Sequence, residues 1–334
     1  MKKGLVLLFV FIAVVGFVFA SGSTEGSSSG TKVLKLGCTS PVGSVHQTGA
    51  ERFQKYLREV SGGKLDVTLH MGGALGTTAQ EYAQLKTGDL DMYLTAFDTA
   101  CVLADGGDFM VTCVPFIFDD FDHYLRFVNS DLCKSMIEKV EKTNGVHFLG
   151  MLFPSLPRAC NTVNKPIASV EDVKGIKMRV PETQAIFEMW KAWGASPVIT
   201  PGSQTYSAME SGLVDGQDND VISTNSNNYQ EITKYYTEIN YIQQSLVVWY
   251  SQTLWDKLSA QEKAWIEQAR DLAYKEHEEW LDGAYAEAKA KMIADGMTFV
   301  EPDIDSFQKA TDEAIVAFDG VLWTKGLYNQ IRAL

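Results

Sequence analysis

Two arginines and a Gly-Gln-Asp-Asn turn lie between Arg158 and Asp220, and residues of these types can hold an anion. In Ile176 to Val180 the apolar Ile176, Met178 and Val180 alternate with Lys177 and Arg179, the period of two of a half-buried strand. Pro181 stops that strand just beyond Arg179, since proline cannot donate to a ladder. An arginine at a strand end, where loops converge on a crevice, can grip a carboxylate with its rigid fork of donors. Each such charge-assisted bond contributes about 1.5–3 kcal/mol, and two on one carboxylate supply much of the ~8 kcal/mol of a micromolar affinity. Arg158 is a second candidate cation; Asp218 and Asn219 sit in the polar turn after Asp215 and Gly216. The alternative for each arginine is an ion pair with a nearby acid, and for the turn a solvated loop. No nucleophile elbow, metal-ligand spacing, paired carboxylates or cofactor fingerprint stands out, so catalysis and a bound cofactor are not expected.

The elements that must position these residues alternate between strand and helix. Val33 to Leu36, Leu65 to Leu69, Val146 to Leu152 and Gln243 to Tyr250 read as strands, Gly49 to Val60 and His123 to Val140 as helices. The segment Tyr82 to Asp91 aligns without gaps with Tyr206 to Asp215 at an offset of 124 residues, matching at six positions. Each copy has a hydroxyl residue upstream (Thr78, Ser203), a glycine suited to end a helix (Gly88, Gly212) and an apolar strand start (Leu90, Val214). Such a repeat predicts two α/β lobes of similar construction. Ser259 and Glu262 form a capping box that opens a helical pattern running to about Gly296, roughly 55 Å at ~1.5 Å per residue. Trp190, Trp193 and Trp249, and Phe116, Phe118 and Phe121, are expected to be buried packing.

The ordered motifs Arg158 to Ile167, Gly175 to Pro181 and Val214 to Asn219 resemble the periplasmic substrate-binding subunit of TRAP transporters, the DctP-like family. The resemblance runs from about Lys32 to the C-terminus and includes Gly194 to Pro197, Val114 to Phe118 and Leu254 to Ser259. It implies an α/β, two-lobed periplasmic solute-binding fold with hinge strands and a long helix spanning both lobes. Lobe I is expected at 32–155 with 244–284, and lobe II at 156–243 with 285–334. By resemblance Arg179 makes the bidentate contact to a ligand carboxylate, with Arg158 and Asn219 beside it. The implied function is capture of a small organic acid, by lobe closure, for a sodium-driven transporter of small and large integral membrane subunits. A monomer is expected; a secreted sensor for a receptor or kinase, or a periplasmic enzyme, are the alternatives. This chain departs from the family at Gly76-Thr77-Thr78-Ala79 and Thr95-Ala96-Phe97, where some relatives carry acids that meet hydroxyl-rich ligands. Asp220 replaces a common proline and Gln204 a common glutamate. The first-lobe wall is then expected to be Thr39, His46, Thr78, Thr95 and Phe97, with Asp98 as a further candidate. Such a wall suggests a ligand smaller or less hydroxylated than a nine-carbon sugar acid. A uronate or other sugar acid, a C4-dicarboxylate and a small hydroxy- or keto-acid all satisfy Arg179.

Composition sets the setting. Lys2 and Lys3 precede the apolar run Gly4 to Phe19, and Val18-Phe19-Ala20 offers a signal-peptidase site, so 1–20 reads as a signal peptide for export to the periplasm. Residues 21–31 read as a flexible Ser/Gly linker. Losing Lys2 and Lys3 shifts the formal charge from −13 to −15, which argues against nucleic acid and anionic membranes as partners. Cys38, Cys101, Cys113, Cys133 and Cys160 show no Cys-x-x-Cys spacing and are odd in number, so at least one is free or pairs with another chain. Their apolar settings read as buried thiols rather than a disulfide framework.

Overall fold

A computed structural model describes residues 30–334; the expected signal peptide and nearly all of the expected linker lie outside them. Among the described residues nine strands form one mixed sheet: β1 (Lys32–Gly37), β2 (Leu65–His70), β3 (Met92–Ala96), β4 (Val146–Thr162), β5 (Met178–Val180), β6 (Val198–Ile199), β7 (Gly216–Asn219), β8 (Tyr235–Ser251) and β9 (Thr298–Val300). The order is β2-β1-β3-β8-β4-β7-β5-β6, with β9 added beside β8. The order is palindromic in construction, the two halves corresponding strand for strand. A parallel trio, β2-β1-β3, meets β8 antiparallel, and a second parallel trio, β6-β5-β7, meets β4 antiparallel. The long partners β4 and β8 pair with each other through the middle.

The sequence repeat maps onto this symmetry. Gly88 (φ 80°) and Gly212 (φ 73°) end the two repeat helices in the left-handed conformation that glycine tolerates best. The strands that follow, β3 and β7, hold matching places beside β1 and β5. The repeated aspartates also match in role: Asp91 accepts from the Lys35 N–H and Asp215 from the Lys177 N–H, each at 2.9 Å. Their carbonyls accept from the Ser251 and Val163 N–H groups, each at 2.8 Å, at the ends of β8 and β4.

Four local readings need correction. The helix expected over His123 to Val140 is two helices, Phe121–Asn129 and Asp131–Asn144. Ser130 is extended and its Oγ accepts from the Cys133 N–H, so a serine cap overrides a continuous apolar stripe. The strand expected over Val146 to Leu152 continues to Thr162 despite Pro154 and Pro157, which sit among register shifts. The strand expected from Gln243 begins at Tyr235. Phe116 and Phe121 are only partly buried, whereas Phe118, Trp190, Trp193 and Trp249 are core.

The Ala260–Ala294 helix opens with the expected capping box and braces both halves of the sheet. Its Ile266, Ala269 and Ala273 pack with Leu34, Phe53 and Leu246; Ala284, Ala288 and Met292 pack with Ala159, Val221 and Tyr236. All five cysteines are buried and free.

Candidate ligand cleft

A cleft of about 340 Å³ opens where the loops after β1 and β3 face those after β5, β6 and β7. Thr39, His46, Thr78, Thr95, Arg158, Arg179 and Asn219 all line it. Phe97 and Asp218 do not. Phe97 is 2% exposed and packs edge-on to Phe109 in a buried hydrophobic cluster with Tyr93 and Trp249, because β3 ends at Ala96 and a 3₁₀ turn follows, breaking the strand alternation. That turn aims Asp98 at the cleft instead.

Arg179 lies in the middle of β5 and is buried. Its Nε and Nη2 both donate to the Thr200 carbonyl, at 2.9 and 2.6 Å. Among the described residues no carboxylate pairs with it, and burial pushes its pKa down. Asp218 and Glu182 act on it only from a distance, and a buried guanidinium without a paired acid is costly unless a ligand supplies the anion.

Arg158 is different. Its Nε donates to Asp218 Oδ2 at 2.7 Å, its Nη2 to the Asp218 carbonyl at 2.8 Å and its Nη1 to Gln244 Oε1 at 3.2 Å. Burial opposes its charge, but the Asp218 carboxylate outweighs that and moves its pKa up. Asp218 is therefore the fixed counter-ion of Arg158, held also by the Tyr241 hydroxyl, and the ion-pair alternative for Arg158 is the one observed. Backbone irregularity builds this unit. Cys160 faces Thr237 and Arg158 faces Ile242, so β8 carries three more residues than β4 over the same span. Asn240 takes a positive φ of 52° there, and the bulge delivers Tyr241 to Asp218.

Asn219 ends β7. Its Oδ1 accepts from the Asp220 N–H at 3.1 Å, and among the described residues Nδ2 donates to no protein group. Asp220, in the place of the family's common proline, caps the Val221–Ser226 helix through the Ser223 N–H and hydroxyl. His46 sits beside Arg158; burial, and then that positive charge, push it down to about 4, so its imidazole is uncharged at neutral pH. Its Nδ1 has no partner among the described residues.

Sequence reading missed Tyr229, Thr183, Gln244, Pro201, Gly202 and Thr205, which also line the cleft, and named Ser203 only as a helix cap and Gln204 only as a departure from the family. Gln244 stands in the polar stretch Gln243 to Ser245 just before an apolar strand run, and is buried here beside Arg158. The others stand in loops, in short 3₁₀ turns or, for Thr205, at a helix start, where no period marks a side chain's direction.

Two α/β halves, crossed by two shared strands and enclosing one cleft with an arginine unpaired among the described residues, define a two-lobed solute-binding protein. The sequence profile of the bacterial extracellular solute-binding proteins of family 7 (DctP) matches residues 36–319, and the chain belongs to that family. Among its relatives is the sialic acid-binding periplasmic protein SiaP of Vibrio cholerae, 27% identical over 89% of this chain and 91% of that protein. A TRAP periplasmic solute-binding protein from Citrobacter koseri, solved with bound D-glucuronate, is 29% identical with a TM-score of 0.79, covering 90% of this chain and 99% of that one. A TRAP periplasmic solute-binding protein from Roseobacter denitrificans, solved with L-galactonate, shares the fold with a TM-score of 0.80 at 23% identity, covering 90% and 97%.

Proposed function

We propose that this chain captures a small organic acid, with Arg179 gripping the ligand carboxylate and the two lobes closing around it. The observation that carries this reading is the buried Arg179, which has no carboxylate partner among the described residues. Arg158, fixed by Asp218 and Gln244, lends a second positive charge; Asn219 Nδ2 adds a neutral donor. Thr39, His46, Thr78 and Thr95 form the opposite wall. The acids bound by the Citrobacter and Roseobacter relatives fit the same chemistry. The lobes divide as 32–155 with 244–284 against 156–243 with 285–334, with β4 and β8 as the hinge. The closed form delivers its ligand to the small and large membrane subunits of a TRAP transporter. The chain works as a monomer in the periplasm, exported by its N-terminal segment, and performs no catalysis.

A thermal-shift screen against organic acids, amino acids and neutral sugars tests the reading. A carboxylate at 100 times its dissociation constant should stabilise the protein by about 2.7 kcal/mol. A shift with neutral sugars or amines alone, and with no acid, would overturn it.

A further inference from the structure

We propose that Asp98 and the hydroxyls beside it select a hydroxylated monocarboxylate over a dicarboxylate of the same length. The inference rests on the organic-acid reading above and names the class of acid. Asp98 is 9% exposed, follows β3 and lines the cleft. Its Oδ2 accepts from the Thr183 hydroxyl at 2.9 Å. Thr183 follows β5, the strand of Arg179, so the bond links the loops after β3 and β5 across the cleft. Beyond that hydroxyl and the nearby Cys113 thiol, Asp98 has no salt-bridge cation among the described residues. Arg158 is ion-paired with Asp218 and also feels the charge of Asp98, whereas Arg179 and Asp98 have no salt-bridge partner among the described residues. One ligand carboxylate satisfies Arg179. A second would lie in a small cavity with Asp98, and juxtaposed like charges there are strongly disfavoured.

The neighbouring hydroxyls point to the same class. Thr99 Oγ1 donates its single proton to the Ala96 carbonyl at 2.7 Å. Thr95 Oγ1 and Tyr82 Oη, each 3.0 Å from Thr99 Oγ1, must therefore both donate to it. Tyr93 Oη likewise donates to Thr78 Oγ1 at 3.2 Å. Thr95 has no proton left for a ligand and presents lone pairs. With Asp98 it presents acceptors to ligand hydroxyls, whereas Thr78, which only accepts from Tyr93, keeps its own proton to donate. Sequence reading took the missing acids at 76–79 and 95–97 as favouring a less hydroxylated ligand. Asp98 restores an acid to that wall from a different position.

Calorimetric titration of the protein with matched pairs of four- and six-carbon acids tests the assignment. Each pair is an aldonate and its aldarate (D-erythronate with meso-tartrate, D-gluconate with D-glucarate), which differ only in whether the far end is a hydroxymethyl or a carboxylate. The aldonate of at least one pair should bind ten or more times tighter than its aldarate, and Asp98→Asn should shrink that ratio at least tenfold. Aldarates binding as tightly as aldonates would overturn the assignment in the unmodified protein, whether or not the variant folds. An unchanged ratio in a folded Asp98→Asn would overturn it too. Failure of every carboxylate to bind would instead remove the organic-acid reading on which it rests.

Discussion

Arg179 and Glu81 are both buried charges-in-waiting, and they behave oppositely because one faces a cleft and the other faces only protein. Arg179→Lys keeps the charge but loses the planar fork, so binding of any carboxylate ligand should weaken at least a hundredfold in calorimetry; near-wild-type affinity would remove the bidentate role. Glu81, on the helix before β3, is fully buried and neither carboxylate oxygen has a partner among the described residues. Burial pushes it up to about 8 from an ordinary value of 4.5. The folded chain holds this proton more tightly than the unfolded one, so its stabilising effect is complete below about pH 4.5 and is lost as pH rises to about 8. Glu81→Gln should therefore raise the melting temperature at pH 8 and have little effect at pH 4.5; equal shifts at both would contradict a buried, protonated Glu81. At this scale the sequence was legible where strand periodicity held. Arg179 and Asn219 stand on the cleft, whereas Phe97 fails because β3 ends one residue before it. Asp218 fails for a different reason: it sits one residue from Asn219, on the other face of β7, and satisfies Arg158.

At the scale of elements, close packing ties the Val45–Val60 helix to the cleft. Gly49 approaches Phe153 so nearly that an added Cβ would lie 2.2 Å from the ring. That ring stacks on His277 of the long helix, at 4.3 Å, and meets His46 edge-on at 6.1 Å. Gly49→Ala should destabilise the protein by about 1–3 kcal/mol through overpacking, read by urea denaturation, and should also weaken ligand binding through the displaced His46. Ser259→Ala removes the capping box from the start of the Ala260–Ala294 helix, and should cost about 1 kcal/mol with ligand affinity unchanged. Capping chemistry and the period of 3.6 made that helix readable from Ser259 onward. The break at Ser130 was not, because the apolar stripe continues through it. The length of β4 was hidden as well, since Pro154 and Pro157 forbid a regular strand and are accommodated only by register shifts against β8.

For the whole molecule, the repeat at an offset of 124 residues revealed the two similar halves, because a helix, its terminal glycine and the next strand form one contiguous unit. The crossing of β4 and β8 left no such mark, because it pairs strands far apart in sequence. If the lobes close on a ligand, small-angle scattering should show a smaller radius of gyration with a bound acid; an unchanged radius would count against closure. The crossing also dictates an order of assembly. The open flank of β3 (Met92–Ala96) is completed only by Leu246 to Tyr250, about one hundred and fifty residues later in the chain. A growing polypeptide therefore carries an unpaired strand flank until nearly three-quarters of it has been made, a state prone to aggregation. A chain truncated before Tyr235 should stay unfolded or aggregate even though it contains all of β1 to β3. The first half of this protein cannot mature ahead of the second, and a nascent chain of this design has reason to be shielded until its eighth strand arrives.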